Sequence, residues 1–336
     1  MSVATKRADE FLLGHERKVK KSSASGKVKN RKRSNYGGGH SAPKNNTGLV
    51  NLVAAANKKP EVMVKIPTRK SVKSVGVKGV ANHIDYISRN GKLTLENNHG
   101  LTISGKDVKN IAKDWQRAGM IHNQEKRQAL NVVLSMPPNT DPEKVKSAAR
   151  QFAAEVFKGH EYVFVLHTDE AHPHVHIAVT MQNELGQRLN PRKNDLYEWR
   201  LLFAEKMREK GVECAATKRV HRGQFNKSEK SEIRQIKNRN GQSYIKYKEL
   251  NELKEAIKQN KRPIHPFLKE QLASRDLVAA EYKSLSKLLY QEGLKTEARI
   301  ISNFAKEIEN KRPITQSQKA FDDAKKEMNR NRDISR

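Results

Sequence analysis

The sequence predicts an α+β fold, an antiparallel β-sheet flanked by helices, with a basic disordered arm before it and an α-helical region after it. Three observations lead there. Two β-like runs, residues 162–166 and 177–180, bracket one polar stretch that contains Pro173, the pattern of a hairpin. Helical apolar stripes alternate with further strand candidates around it. Composition turns polar and basic at both ends of the chain. A hairpin at the centre favours an antiparallel layer over a doubly wound parallel sheet.

The first 58 residues carry Lys18, Lys20, Lys21, Lys27, Lys29, Arg31, Lys32 and Arg33, followed by Gly37-Gly38-Gly39. Such a segment buries too little apolar surface to offset the entropy lost on ordering. Residues 1–58 therefore read as a basic disordered arm that serves solubility or meets phosphates. Order is expected from Val62-Met63-Val64-Lys65-Ile66-Pro67, an alternating run closed by proline. A helix follows, with Val77, Val80, Ile84 and Ile87 at helical spacing and Gly91 as its stop. Tyr86 lies off that stripe, on a polar face with Asn82, Arg89 and Asn90, where an aromatic can meet a ligand. The plain alternative is a surface tyrosine without a role.

Val108, Ile111, Ala112 and Trp115 place a second helix over 106–118, and residues 130–136 read as a buried strand closed by Pro137-Pro138. Thr140 and Glu143 stand at capping-box spacing with Pro142 in the first turn. They open a helix whose inner face is Val145, Ala148, Ala149, Phe152, Ala153 and Val156. After the hairpin, Pro191-Arg192-Lys193-Asn194 leads into a helix with Leu196, Trp199, Phe203 and Met207 on its stripe. Residues 222–270 are rich in Lys, Asn and Gln, with short helical stretches. Over 276–309, Gly293 separates two apolar stripes, Val278, Tyr282, Leu285 and Leu289 from Ile301, Phe304 and Ile308, as in a helical hairpin. The chain divides accordingly into the arm (1–58), a globular domain (59–223), a basic polar linker (224–275), and a helical hairpin with a basic tail (276–336).

Sixty-seven Lys and Arg against 37 Asp and Glu give the 336-residue chain a formal charge of +30. That excess calls for a polyanionic partner, and nucleic acid fits best. No apolar run approaches the length of a spanning helix, so stable membrane insertion is not expected. The single cysteine, Cys214, excludes an internal disulfide and fits a reducing cytoplasm.

The central stretch His167-Thr168-Asp169-Glu170-Ala171-His172-Pro173-His174-Val175-His176 holds the chemistry. Strand alternation puts His174 and His176 on one face, and His167 and Asp169 can lie opposite them on the partner strand. Three neutral imidazoles converging on one point suit a divalent metal. The spacing does not select the ion: imidazoles favour zinc, nickel, copper or manganese, while phosphodiester chemistry in the cytosol more often meets Mg2+ or Mn2+. Mg2+ or Mn2+ is therefore expected, with Zn2+ as the alternative. There is no Walker-type loop and no Ser-His-Asp order. A tyrosine, a metal and a basic surface together suit attack of a phenol oxygen on a phosphodiester.

These residues also resemble a known family. His174-Val175-His176 has the His-hydrophobic-His form of the HUH endonucleases, and His167-x-Asp169-x4-His174-x-His176 resembles motif III of plasmid relaxases of the MOBP class. Residues 83–93, around Tyr86, look like motif I in the branch containing the relaxase of the T-DNA transfer system. Val132-Val133-Leu134-Ser135-Met136-Pro137 is similar to motif II. The likeness runs from about residue 75 to 223, with three motifs in family order.

The resemblance implies the HUH endonuclease fold, Tyr86 as the nicking nucleophile, and His167, His174 and His176 as metal ligands. Ser135 would help hold DNA, and Asp169 would orient an imidazole or take the tyrosine proton. Arg89, Arg192, Lys193 and His172 are candidate DNA contacts. The implied activity is a metal-dependent, strand-specific relaxase. It would nick a plasmid origin of transfer through a 5′-phosphotyrosyl intermediate and later reseal it. Its partners would be single-stranded DNA, relaxosome accessory proteins, and a type IV coupling protein and secretion channel. The protein would be cytoplasmic and then translocated on the DNA to a recipient cell. The competing readings are a rolling-circle replication initiator, which the motif order opposes, and a non-catalytic DNA-binding mobilisation accessory protein with a structural metal. The arm before motif I is longer than the family pattern.

Overall fold

All six strands run antiparallel to their neighbours in one sheet, β1 (Met63–Lys65), β2 (Leu95–Asn97), β3 (Thr102–Ile103), β4 (Ala129–Ser135), β5 (Tyr162–His167) and β6 (His174–Thr180), in the order β1-β4-β6-β5-β2-β3. The computed structural model describes residues 2–23, 36–39, 46–67, 75–123, 126–224, 231–239, 241 and 244–334. The chain folds as two compact units, Met1–Thr217 and Lys218–Arg336. The sheet lies in the first and has the antiparallel α+β form expected. Val132, Leu134, Val175, Ile177, Ala178 and Val179 are buried at its centre, as befits strands covered on both faces.

Two helices stand where a disordered arm is expected, α1 (Val3–Ser23) and α2 (Thr47–Ala56). Ala4, Ala8, Phe11 and Leu12 are buried on α1, and Leu49, Leu52 and Ala55 on α2. The two helices pack together. The approach is so close that a Cβ on Gly48 would lie 2.3 Å from the Ala8 carbonyl carbon. Asp9 accepts hydrogen bonds from the Asn46 and Gly48 backbone N–H groups at the start of α2. Asn51 accepts one from the Ala216 N–H at 2.7 Å, which ties α2 to the end of the unit. The reading as an arm fails here because seven apolar residues suffice once two short stripes cover each other. Lys27, Lys29, Arg31, Lys32 and Arg33 lie outside the described residues.

Four more helices cover the sheet, two on each face. On one face, α3 (Gly76–Ile87) and α4 (Ile111–Arg117) set Val80, Ile84, Ile87, Ile111 and Trp115 against Val163, Val165 and Ala178. On the other lie α5 (Pro142–Val156) and α6 (Lys193–Glu209), where Phe152 makes edge contacts with Phe157, Trp199 and Phe203. These sequence stripes are found as expected, with local differences. The N-cap of α5 is Asp141, which accepts from the Glu143 N–H at 3.0 Å, while the Thr140 hydroxyl turns back to the Pro137 carbonyl. A 3-10 turn, Gly105–Lys109, precedes α4. Residues 95–103, read as no strand, supply β2 and β3, the short outer strands of one sheet edge.

In the second unit, α7 (Ser231–Asn238) and α8 (Tyr244–Lys258) lie in the polar stretch, and α9 (Leu268–Gln291) and α10 (Lys295–Asn310) form the expected hairpin about Gly293. Val278, Tyr282, Leu285, Leu289, Ile301, Phe304 and Ile308 are all buried there. α11 (Gln316–Ile334) takes the place of the expected polar tail. No helix among the described residues is long and apolar enough to cross a membrane.

Candidate metal centre and nucleophile

Register alone assembles most of the site. β6 lies between β4 and β5, and His174 faces Ser135 on one side and His167 on the other. One row further in, His176 faces Val133 and Val165. Directly paired residues project from the same face of a sheet. Ser135, His174, His167 and His176 therefore share the face covered by α3 and α4, at the strand ends those helices leave open. The hairpin turn is a loop over 168–173, longer than the tight turn expected at Pro173. That length carries Asp169 out of the ladder, so it stands exposed beyond the strand and not opposite His174.

The three imidazoles form a triangle, with ring centroids 5.1 Å apart for His167 and His174, 4.7 Å for His167 and His176, and 5.2 Å for His174 and His176. One nitrogen from each lies within 4.8 Å of the others. Hydrogen bonds fix two tautomers, because a carbonyl oxygen only accepts. His167 donates from Nε2 to the Ile87 carbonyl at 2.7 Å, which leaves the lone pair on Nδ1. His174 donates from Nδ1 to the His172 carbonyl at 2.9 Å, which leaves the lone pair on Nε2. His176 Nδ1 is buried without a hydrogen-bond partner. An orphaned polar atom of this kind costs about 1–3 kcal/mol.

Electrostatics favour the neutral form of His176 and His167. Burial, reinforced by the nearby positive groups His167, His174, His83 and Arg89, pushes the His176 imidazole down to about 3. Burial likewise lowers His167, with Arg89 and His174 adding to it and the bond to Ile87 opposing. Neutral imidazoles with lone pairs are what a divalent cation requires. Donor type, spacing and the orphaned nitrogen all fit a bound metal.

Tyr86 lies at the C-terminal end of α3, off the buried stripe of Val80, His83, Ile84 and Ile87, and 52% exposed. Beyond α3 the chain reverses through three consecutive left-handed residues, Arg89 (φ 55°), Asn90 (φ 59°) and Gly91 (φ 80°). Only glycine fits at 91, since a Cβ there would lie 2.4 Å from the Gly105 carbonyl oxygen. The reversal brings the Arg89 side chain back over its own helix. Its guanidinium carbon is 5.8 Å from the Tyr86 ring centroid. One of its nitrogens donates to Asp169 Oδ2 and approaches His167 Nδ1 at 3.4 Å. Burial pushes the Asp169 carboxyl upward, but the hydrogen bond and charge of Arg89 outweigh it and hold the group below its ordinary value. One guanidinium thus touches the tyrosine, the aspartate and a histidine of the triangle.

Of the residues singled out from sequence, Tyr86, Arg89, Ser135, His167, Asp169, His174 and His176 come together. His172 joins through its carbonyl, and its side chain is exposed. Arg192 and Lys193 do not come to this cluster. They open α6 at the other end of the sheet, where the Arg192 N–H bonds Asp195 at 2.6 Å and the Asn190 N–H bonds the Tyr36 carbonyl at 2.9 Å. Strand β6 runs its length between them and His174. The sequence reading assigned no role to His83, although it lies one helical turn before Tyr86 and its field is felt at His176. Its signal was an imidazole set within an apolar stripe.

Residues 86–212 match the family model of the MobA/VirD2-like relaxase, nuclease domain. Over this segment the chain is similar to the MobA/VirD2-like relaxase nuclease domain. The match opens on Tyr86 and takes in Ser135 and the whole histidine triangle. The T-DNA border endonuclease VirD2 of Rhizobium radiobacter is 28% identical over 167 residues, 43% of this chain and 39% of that protein. VirD2 of Agrobacterium fabrum is 26% identical over 190 residues, 47% of this chain and 42% of its own. VirD2 of Rhizobium rhizogenes is 28% identical over 169 residues, 44% and 38%. The aligned part therefore spans about two-fifths of the relatives' length. No solved structure matches the chain.

Proposed function

We propose that the relaxase domain nicks one strand of DNA through Tyr86. The observation that carries this reading is the linkage of an exposed tyrosine, through one guanidinium, to three imidazoles whose nitrogens converge. In the proposed step the phenol oxygen attacks phosphorus, the Tyr86 O–P bond forms and the P–O3′ bond breaks. The products are a free 3′ hydroxyl and a 5′-phosphotyrosyl strand. The phenol proton passes to water, which reaches the half-exposed side chain, and the departing 3′ oxygen takes one from water. A phenol is a weak nucleophile at its ordinary pKa of about 10, so the site must favour its anion. Because the covalent link keeps the energy of the phosphodiester, the strand is resealed by the reverse step without ATP.

His167 Nδ1, His174 Nε2 and His176 would hold a divalent ion, Mg2+ or Mn2+ foremost, which when bound neutralises phosphate charge and polarises the ester. The pairing of Ser135 with His174 supports a role for Ser135 in touching the strand near the cut. The ion pair with Arg89 supports a positioning role for Asp169 over proton transfer, since a carboxyl held below its ordinary range is a weaker base. Arg192 and Lys193 would meet phosphates far from the scissile one, and His172 lies in the loop beside it. At the level of the whole chain, the reading is a conjugative or mobilising relaxase. It would act at a plasmid origin of transfer with accessory proteins, work in the cytoplasm and accompany its strand through a type IV secretion channel. The upstream residues 36–39 and 46–56 are proposed to belong to the same folding unit as the nuclease.

The test is incubation with single-stranded oligonucleotides from the transfer origin of its own replicon and Mn2+. A denaturation-resistant protein–DNA adduct is expected from the wild type and none from Tyr86→Phe. An adduct that survives Tyr86→Phe rejects the nucleophile. No adduct with any origin sequence or divalent ion favours a binding module.

A further inference from the structure

We propose that Arg89 is an internal placeholder cation, whose guanidinium must leave His167 Nδ1 before a metal ion occupies the histidine triangle. This rests on the histidines being metal ligands and goes beyond it by assigning a competitor for the site. The His167 Nε2 proton is committed to the Ile87 carbonyl at 2.7 Å, so Nδ1 holds the only lone pair that ring can offer. The Arg89 N–H is aimed at that lone pair from 3.4 Å. A metal binds an imidazole nitrogen at ~2.1 Å along the same direction. It would then stand about 1 Å from the guanidinium nitrogen, which neither sterics nor two like charges allow.

The local backbone defines where the guanidinium sits. Arg89 follows α3 in the left-handed conformation, with the Asn90 N–H bonded to the Asp85 carbonyl at 2.7 Å and the Gly105 N–H to the Gly91 carbonyl at 2.9 Å. The turn is pinned on both sides, and the side chain alone can move. Asp169 and the Tyr86 ring already contact the same guanidinium, so they can hold it when it leaves Nδ1. Loading the triangle thus transfers Arg89 from the histidine to the nucleophile side of the site, where it can face a phosphate.

Mn2+ affinity of the full chain without DNA, read by calorimetry, tests the exchange. Removing the competing charge in Arg89→Met should tighten binding about tenfold, a figure discounted for the partial exposure of the side chain. Arg89→Lys retains the charge at the same left-handed position and should stay within about threefold of the wild type. His174→Ala should abolish binding. Unchanged or weaker binding in Arg89→Met overturns the proposal, as does equal tightening in Arg89→Lys, which would point to the backbone. If His174→Ala binds Mn2+ like the wild type, the metal reading falls and the placeholder with it. Tighter binding in Arg89→Met from a chain that never forms a DNA adduct supports the placeholder and sinks only the nuclease reading.

Discussion

Gly38→Ala should destabilise the first folding unit sharply, although residue 38 lies nearly fifty residues before Tyr86 in a stretch that reads as a disordered arm. Gly38 sits at φ +105°, and an added Cβ would lie 2.9 Å from both the carbonyl oxygen and the Cγ1 of Val156 at the end of α5. The backbone conformation costs a non-glycine residue about 1–3 kcal/mol, and intrusion on packed neighbours adds about 1–3 kcal/mol. The segment cannot easily step aside. The Gly39 N–H bonds the Val156 carbonyl at 2.9 Å, the Gly37 carbonyl accepts from Trp199 Nε1 at 3.1 Å, and Tyr36 stacks on His160 with centroids 5.8 Å apart. A loss of roughly 2–6 kcal/mol, at about 2–4 °C per kcal/mol for a unit of this size, lowers the melting midpoint by roughly 4–24 °C. Tryptophan fluorescence reports this unit, since both tryptophans, Trp115 and Trp199, lie in Met1–Thr217. Gly39→Ala is the control, because its Cβ would meet nothing closer than 3.8 Å, and it should melt within about 1 °C of the wild type. A Gly38→Ala protein that melts like its Gly39→Ala counterpart refutes the anchoring of this segment.

Asp9→Ala removes the carboxylate that caps α2 and should cost about 1 kcal/mol, with Asp9→Asn recovering most of it; thermal melts of the three proteins decide. The depressed His176 pKa makes stability depend on pH with a definite sign. The unfolded imidazole takes up a proton below about 6.5 while the folded one resists until about 3, so stability falls as pH drops through that window and is unaffected above it. Melting midpoints at pH 7.5 and pH 5 should differ more for the wild type than for His176→Leu; an equal drop in both would exclude His176 as a source.

Local periodicity made the core readable, and its limits mark where reading stopped. The His174-Val175-His176 alternation and the off-stripe position of Tyr86 are short-range properties, and the structure bears both out. β2 and β3 are only three and two residues long and are held by pairing with β5 and each other, so no local pattern announces them. The segment around Tyr36 to Gly39 is anchored by backbone bonds and by glycines that permit close approach, which hydrophobicity does not register. Arg192 and Lys193 form a basic dipeptide at a helix start, but chain order says nothing about which end of a sheet a helix begins at. Conversely, Arg89 read as a phosphate contact from its charge. Its left-handed backbone, which turns the side chain onto Asp169 and His167, is visible only in three dimensions.

If Tyr86 carries the severed strand, mass spectrometry of the trapped adduct will find the nucleotide there. After complete nuclease digestion and trypsin cleavage at Lys78 and Arg89, the peptide over residues 79–89 contains Tyr86 as its sole tyrosine. A phosphonucleotide is expected on that tyrosine in the wild type, with the mass of a 5′-linked residue. A nucleotide found on any other peptide, or an adduct whose phosphate is attached through a serine or histidine, would contradict it.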